Sequence, residues 1–259
     1  MPTIKLLLEY DGTAFAGWQR QINQPTIQEA VETAIAGVTQ TKVSVIGAGR
    51  TDAGVHALGQ VASFRIDRDM TPREWTRALN AHLPDAITVR SAAIMPDAFH
   101  ARHSAKGKLY EYRILNRSER PALDRYYCWH VYKPLDDAAM NRAALLLIGS
   151  HDFSSFQTQP TENEDPICRL QRLTVYRQGE QLHIAAYADR FLKQMVRSIV
   201  GTLVEVGVGS RTPDSLTTIL HARARSAAGK TAPPQGLFLV QVDYDGNGTG
   251  RKENGVGGG

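Results

Sequence analysis

A glycine-rich loop with a single aspartate is the part of this sequence best suited to chemistry. It follows the alternating apolar run 42–46 and reads Gly47-Ala48-Gly49-Arg50-Thr51-Asp52-Ala53-Gly54-Val55-His56-Ala57. Glycines permit positive φ values and a close approach of the backbone to a ligand, and functional residues concentrate on loops that a rigid element positions. The pattern therefore predicts a strand that ends at a loop presenting the Asp52 carboxylate.

Two nucleotide-binding loops begin in a similar way, and neither fits. Gly47-Ala48-Gly49 starts like the dinucleotide fingerprint G-x-G-x-x-G, but Asp52 occupies the sixth position, where its charge would repel a pyrophosphate. The P-loop requires G-K-[ST] after its glycines, and this loop lacks it. A structural turn in which Asp52 caps a local N–H is an alternative that the residue types leave open.

The second candidate is a basic segment with interleaved aromatic residues. It carries four permanent positive charges against one negative charge, together with two histidines and two tyrosines. Basic groups bind phosphates and aromatic faces stack on bases, so the segment is a candidate contact for nucleic acid, with a solvated strand edge as the alternative. It reads His100-Ala101-Arg102-His103-Ser104-Ala105-Lys106-Gly107-Lys108-Leu109-Tyr110-Glu111-Tyr112-Arg113.

Composition limits the class of protein. A chain of 259 residues with 42% hydrophobic content can bury a substantial core, as one large domain or two ordinary ones. The net charge of +4 is modest and gains meaning only because it is clustered. No run reaches the roughly 18 apolar residues of a membrane span, and the pattern of a signal peptide is missing. We therefore expect a cytoplasmic protein that does not contact a membrane.

The residues that most often bind metals are scattered. Cys128 and Cys168 are far apart and lack the spacing of metal ligands or of a disulfide framework. The eight histidines form no H-E-x-x-H motif and no cluster with acids at ligand spacing. The sequence predicts no metal site.

Hydrophobic periodicity predicts two successive β-α-β-β-α-β units. In the first, helices begin at Thr26, which forms a capping-box pattern with Glu29, and at Thr71-Pro72, while strands cover 4–9, 43–46, 61–66 and 87–94. In the second, strands cover 108–115, 170–176, 182–187 and 237–244, and helices cover 137–148 and 190–206. An extra helix, capped by Thr212, precedes the last strand.

Such units form antiparallel sheets with helices on one face, so we predict an α+β fold of two ferredoxin-like or RRM-like halves. The predicted halves span residues 1–105 and 106–245. Half of the residues in the segment 246–259 are glycine, and we expect it to be a disordered tail.

The predicted helix 190–206 has two faces. Arg190, Lys193, Gln194 and Arg197 fall on one stripe at helical spacing, and apolar residues fall on the other side. A basic stripe opposite a core predicts either a contact for phosphates or a solvated helix face.

Six motifs together resemble the TruA family of tRNA pseudouridine synthases over nearly the whole chain, and the segment R-T-D-A-G-V-H is highly specific. The resemblance implies two halves related by approximate twofold symmetry with a cleft between them. The motifs are Tyr10-Asp11-Gly12-Thr13 with Gly17-Trp18-Gln19, Gly49-Arg50-Thr51-Asp52-Ala53-Gly54-Val55-His56-Ala57, Phe99-His100-Ala101-Arg102, Lys108-Leu109-Tyr110-Glu111-Tyr112, Gly149 with His151-Asp152-Phe153, and Phe191-Leu192-Lys193-Gln194-Met195-Val196-Arg197.

The resemblance also implies roles for single residues. Asp52 would be the catalytic aspartate, Tyr110 the aromatic residue beside the target base, and Arg197 the basic partner of Asp52. Arg50 would assist base extrusion, although Arg190 or Lys193 could take the place of either arginine. The basic residues expected to hold RNA phosphates are Arg102, Lys106, Lys108 and Lys193.

The implied substrate is the anticodon arm of tRNA, at uridines 38, 39 and 40, and the implied assembly is a homodimer. The isomerisation needs a carboxylate nucleophile, which an adjacent guanidinium keeps ionised, and no redox or transfer cofactor. Extruding the base costs a few kcal/mol, and stacking on Tyr110 offsets about 1 to 3 kcal/mol. A non-catalytic RNA-binding or RNA-chaperone protein is the alternative, but it would gain nothing from a carboxylate within a basic cleft.

Overall fold

The computed structural model describes residues 1–158 and 165–245. The predicted glycine-rich tail, 246–259, lies outside the described residues. Within them are five helices, α1 (Ile27–Thr39), α2 (Pro72–Asn80), α3 (Asp137–Leu145), α4 (Met195–Gly207) and α5 (Ser215–Ala222). The ten strands of the same residues are β1 (Thr3–Tyr10), β2 (Ile46–Gly47), β3 (His56–Arg65), β4 (Ile87–Met95), β5 (Ala105–Leu115), β6 (Trp129–His130), β7 (Gly149–Asp152), β8 (Ile167–Gln178), β9 (Gln181–Ala188) and β10 (Leu237–Tyr244).

The predicted α+β class and its antiparallel sheets are confirmed. In the first half the strands lie in the order β4-β1-β3-β2, and in the second half they lie in the order β10-β5-β9-β8. Every pairing within these two sets is antiparallel. Each half therefore repeats the same arrangement, with its first and third strands in the centre. Strands β6 and β7, which the sequence did not predict, are additions to the second half.

The two sets of strands join into one sheet along β3. Strand β10 pairs in parallel with the start of β3, at His56 and Ala57, while β2 pairs with the same side of β3 further along, at Ala62 and Ser63. A longer β2 would occupy the place that β10 takes. The short β2 is therefore what allows the two halves to form a continuous sheet. The division at residue 105 stays a prediction.

Local sequence determines where the first two helices begin. The Thr26 hydroxyl accepts a hydrogen bond from Glu29 N, as predicted, while the Glu29 carboxylate contacts Arg20. At α2 both hydrogen bonds of the capping box are present, between Thr71 and Glu74, and Pro72 occupies the first turn. Buried faces of these helices pack on apolar residues of the sheet, which form one core with the second half.

The predicted strand 43–46 is wrong for most of its length, because β2 contains only Ile46 and Gly47. Side chains of α1 satisfy the backbone of Val45 instead: its N–H donates to Glu32 Oε1 at 3.0 Å, and its carbonyl accepts from Gln28 Nε2 at 3.2 Å. Polar side chains on the helix thus replace a neighbouring strand.

The predicted helix 190–206 begins five residues later, at Met195. Gln194 has a left-handed backbone with φ of 59°, which cannot continue into a helix, so Arg190 and Lys193 lie before α4 in irregular chain. The predicted basic stripe on one helix face is therefore wrong. The extra helix α5 also starts later than predicted, at Ser215 with Asp214 as its N-cap, and the Thr212 carbonyl accepts from Ser215 N.

Candidate active site

The loop that carries Asp52 connects β2 to β3 and is held by the segment that follows β1. Trp18 N donates to the carbonyl of Thr51 at 3.0 Å, and Gly54 N donates to the carbonyl of Phe15 at 3.3 Å. Gly17 has φ of +100°, and a Cβ atom there would lie 2.5 Å from the Thr51 oxygen. Close contact between two backbone segments thus sets the path of the loop, and glycine permits it.

Arg197, on α4 of the second half, forms an ion pair with Asp52. Its Nη1 lies 2.8 Å from Asp52 Oδ2, and the two side chains are 11% and 27% exposed. Arg197 Nε donates to the Ala232 carbonyl at 2.8 Å, and Ala232 N donates back to the Arg197 carbonyl at 3.0 Å. A partly buried carboxylate with an oriented arginine is suited to act as an ionised nucleophile.

Tyr110 lies on β5 beside this ion pair. It is buried, and the edge of its ring meets Phe191, with centroids 5.1 Å apart at an interplanar angle of 84°. Burial raises the pKa of Tyr110 above its ordinary value, and the nearby Tyr10 and Asp52 add to the shift. Tyr110 therefore keeps its proton at neutral pH.

Lys108, two residues earlier on β5, lies against the same loop. A Cβ atom at Gly49 would lie 3.2 Å from Lys108 Cε and 3.8 Å from the Tyr110 hydroxyl, so both side chains cover this glycine. Burial lowers the pKa of Lys108, and the positive charges of Arg102 and Arg190 add to the effect. The structure therefore brings Asp52, Arg197, Tyr110 and Lys108 together.

The other predicted residues surround this group at the surface. Arg50 is exposed on the loop and donates from Nε to Gln19 Oε1 at 3.1 Å. Arg102 is exposed in the turn before β5. Lys106 forms an ion pair of 3.0 Å with Asp245, and both side chains are largely exposed. Lys193 is exposed before α4, where its carbonyl accepts from Thr158 N.

His56, at the end of the loop, has a position that sequence reasoning did not assign. Gly12 N donates to its Nδ1 at 3.1 Å, so Nε2 carries the proton and donates to the Tyr126 carbonyl at 2.9 Å. Burial lowers the pKa of His56, and the Asp11 carboxylate opposes this shift. A neutral His56 therefore links the loop to both halves through its two hydrogen bonds. The sequence feature that could have indicated this role is the motif Tyr10-Asp11-Gly12, because Gly12 is the residue that donates to His56.

Residues 1–158 and 165–245 contain neither a metal-binding cluster nor a membrane-spanning helix. No group of three or more His, Cys, Asp or Glu side chains among them is arranged to hold a metal ion. None of their helices has the length and apolar character needed to cross a membrane.

The sequence of this chain is similar to those of known proteins over nearly its whole length. The sequence profile of the family described as tRNA pseudouridine synthase matches residues 7–104 and 143–245. The chain is 48% identical over 252 residues to tRNA pseudouridine synthase A of Allorhizobium ampelinum, covering 95% of this chain and 97% of that protein. It is 49% identical to the protein of that name from Rhodopseudomonas palustris, over 94% of this chain and 99% of the relative. This chain therefore belongs to the tRNA pseudouridine synthase family.

Proposed function

We propose that this protein isomerises uridine to pseudouridine in tRNA, with Asp52 as the nucleophile. The main support is the 2.8 Å contact between Arg197 and Asp52, which joins a helix of the second half to a loop of the first. The guanidinium orients the Asp52 carboxylate, and a carboxylate is the nucleophilic form of this side chain. A structural turn does not require an ion pair that is only 11% and 27% exposed and that joins the two halves, so the geometry favours an enzyme over a passive RNA-binding protein.

The reaction rearranges bonds within one nucleotide. Asp52 attacks C1′ of the ribose or C6 of uracil, and the bond between C1′ and N1 breaks. The uracil turns, C5 bonds to C1′, and the bond that Asp52 formed breaks, which restores the free carboxylate. The hydrogen on C5 leaves as a proton and N1 gains one, so no oxidant, reductant or group donor enters the balance.

Tyr110 and Arg50 serve the step that exposes the base. A uridine in a stem must be extruded at a cost of a few kcal/mol, and contact with an aromatic face returns about 1 to 3 kcal/mol. Tyr110 borders Asp52, where the extruded base would lie, and its position against Phe191 keeps the ring from rotating away. Arg50, exposed on the same loop, is placed to contact the RNA from which the base has left.

Basic residues around the loop would bind the phosphates. Arg102, Lys106 and Lys193 are exposed, and Lys108 lies against the loop at Gly49. Lys106 would exchange Asp245 for a phosphate. Affinity for RNA should therefore fall steeply as salt is added. The anticodon arm as the site of modification and a homodimeric assembly, both implied by the family resemblance, complete the proposal together with the cytoplasmic location expected from the sequence.

Tritium release tests the proposed reaction. We would incubate tRNA labelled with tritium at C5 of uracil with the wild-type protein, with Asp52→Ala, and with Asp67→Ala, whose carboxylate is exposed between β3 and α2. We expect release from the wild type and from Asp67→Ala, and none from Asp52→Ala, which should still bind tRNA.

Two other results would each contradict a different part of the proposal. Release by Asp52→Ala at the wild-type rate would exclude Asp52 as the nucleophile. Binding of tRNA without release by any of the three proteins would favour the non-catalytic RNA-binding protein.

A further inference from the structure

A buried cluster of three polar side chains lies directly behind the Asp52 loop. Tyr10, Thr51 and Gln60 are 3%, 6% and 0% exposed. The Tyr10 hydroxyl lies 2.9 Å from Thr51 Oγ1. Gln60 Nε2 donates to the carbonyl of Gly49 at 2.9 Å and lies 3.4 Å from the Tyr10 hydroxyl. The cluster therefore contacts the loop on both sides of Arg50.

The direction of these hydrogen bonds follows from the chemistry of the groups. The Gln60 amide nitrogen can only donate, so the Tyr10 oxygen accepts from it and the Tyr10 proton is available to Thr51 Oγ1. Burial raises the pKa of Tyr10 to about 12, so this proton is present throughout the neutral range. Either hydroxyl can donate in the bond between Tyr10 and Thr51, and Thr51 thus shares a hydrogen bond with a group that does not change its charge.

The core itself does not require this cluster. Burying polar groups costs free energy unless each is hydrogen-bonded, and apolar side chains of the same shape would fill the space without that cost. Apart from Val61 N, which donates to Gln60 Oε1 at 3.2 Å, the partners of the cluster are atoms of the loop, and Asp52 follows Thr51 directly in the chain. What the cluster provides is a fixed orientation of the residues beside Asp52.

We propose that Tyr10, through Thr51, is a positioning residue for Asp52 that holds its carboxylate in reach of Arg197 and the target nucleotide. The proposal rests on the proposed function of Asp52. Tyr10 does not touch the substrate in this scheme. Its loss would let the Thr51 side chain and the neighbouring carboxylate rotate, while the backbone contacts of Trp18 and Gly54 still hold the loop in place.

The test is Tyr10→Phe, which removes one oxygen atom and keeps the ring. A misplacement of about 1 Å in a catalytic group can cost roughly 100-fold in rate. We expect the single-turnover rate of pseudouridine formation to fall about tenfold, because the backbone contacts persist. The dissociation constant for tRNA should stay within about twofold of the wild-type value, because no group that contacts RNA is changed.

Tyr244→Phe is the matched control. Tyr244 is also a buried tyrosine on the same sheet, 8% exposed, and its hydroxyl donates to the Ala101 carbonyl at 2.6 Å. The variant loses a comparable hydrogen bond away from the loop. Its melting temperature should fall by a similar amount to that of Tyr10→Phe, and its rate should stay at the wild-type value.

Thr51 supplies a second pair of variants in case Tyr10→Phe does not fold. Thr51→Val keeps the shape and removes the hydroxyl, and Thr51→Ser keeps the hydroxyl. We expect Thr51→Val to lower the rate about tenfold, and Thr51→Ser to retain at least half of the wild-type rate.

Three results would overturn the proposal. A wild-type rate for both Tyr10→Phe and Thr51→Val would remove the role of the cluster. An equal loss of rate in Tyr244→Phe would assign the effect to stability. Asp52→Asn, measured in parallel, separates the two proposals: if it remains active, the nucleophile assignment fails and the positioning role fails with it.

Discussion

Two hairpins occupy the same place in the two halves, and only one of them carries the proposed chemistry. The connection between β8 and β9 consists of Gly179 and Glu180, whereas the connection between β2 and β3 runs from residue 48 to 55. Each carries a carboxylate paired with an arginine at 2.8 Å, Glu180 with Arg117 and Asp52 with Arg197. The fold needs only the two-residue turn, so the long connection is an addition that serves the site.

Burial separates the two ion pairs. The side chains of Arg117 and Glu180 are 33% and 60% exposed, and those of Arg197 and Asp52 are 11% and 27% exposed. An exposed pair contributes at most about 1 kcal/mol to stability and is screened by salt. The pair at the long loop is partly shielded from water and its arginine is held by the Ala232 carbonyl. Arg117 Nε is likewise held by a carbonyl, that of Glu119 at 3.0 Å, so shielding from water is what distinguishes the proposed catalytic pair.

Replacing the arginine of each ion pair should give the largest difference in reaction rate between variants of the two hairpins. Arg197→Lys replaces the two nitrogen atoms that hold the Ala232 carbonyl and Asp52 in a fixed planar geometry with a single ammonium, which does not reproduce that geometry. We expect the rate of pseudouridine formation to fall roughly 100-fold. Arg117→Lys should leave the rate unchanged. Rapid-quench kinetics on both variants would check this, and equal rates would contradict the distinction.

Replacing the glycine in each connection should have an intermediate effect. Gly54 and Gly179 have φ values of +75° and +60°, so alanine should cost about 1 to 2 kcal/mol of stability at either position. A Cβ atom at Gly54 would also lie 3.1 Å from Pro234 Cγ, whereas one at Gly179 meets nothing within 4 Å. We expect only Gly54→Ala to slow the reaction, about tenfold. Denaturant unfolding and single-turnover rates, measured together, separate stability from activity.

The smallest expected effect concerns the charge beside the long loop. Because burial lowers the pKa of Lys108, its positive charge is lost at a lower pH than that of an ordinary lysine. As pH rises towards this lowered pKa, the affinity for tRNA should fall a few-fold, since one phosphate contact is lost. Lys108→Arg keeps its charge and should shift the fall to higher pH. Binding curves from pH 7 to 10 would test this, and identical pH profiles would exclude Lys108 as the cause.

The sequence alone was enough to identify the long connection, because its glycines and Asp52 form a local pattern. It was also enough to predict most strands and helices, because hydrophobic periodicity is local too. It failed where distant residues decide. The helix predicted from residue 190 has the correct apolar spacing, but the left-handed backbone of Gln194 delays its start to Met195. The strand predicted over 43–46 loses its place to hydrogen bonds from Gln28 and Glu32 on α1.

The site shows the same limit. Asp52 could be singled out from its neighbours in the chain, whereas Arg197 lies 145 residues away and was assigned by resemblance alone. Tyr10 and Gln60 could not be assigned to the site from the sequence. Tyr10 lies at the end of β1 and Gln60 in a buried part of β3, and their residue types do not indicate contact with a loop. Contacts between distant segments carry this information, and no local pattern reports them.

The position of β10 imposes an order on folding during synthesis of the chain. This strand lies between β3 and β5, so the sheet stays in two pieces until residues 237–244 leave the ribosome. Until then His56, the residue that follows the Asp52 loop, lacks its pairing partner Phe238 on β10. A nascent chain that contains Asp52 and Arg197 but not residues 237–244 therefore lacks the strand that joins the two parts of the sheet, and we expect it to be inactive towards tRNA.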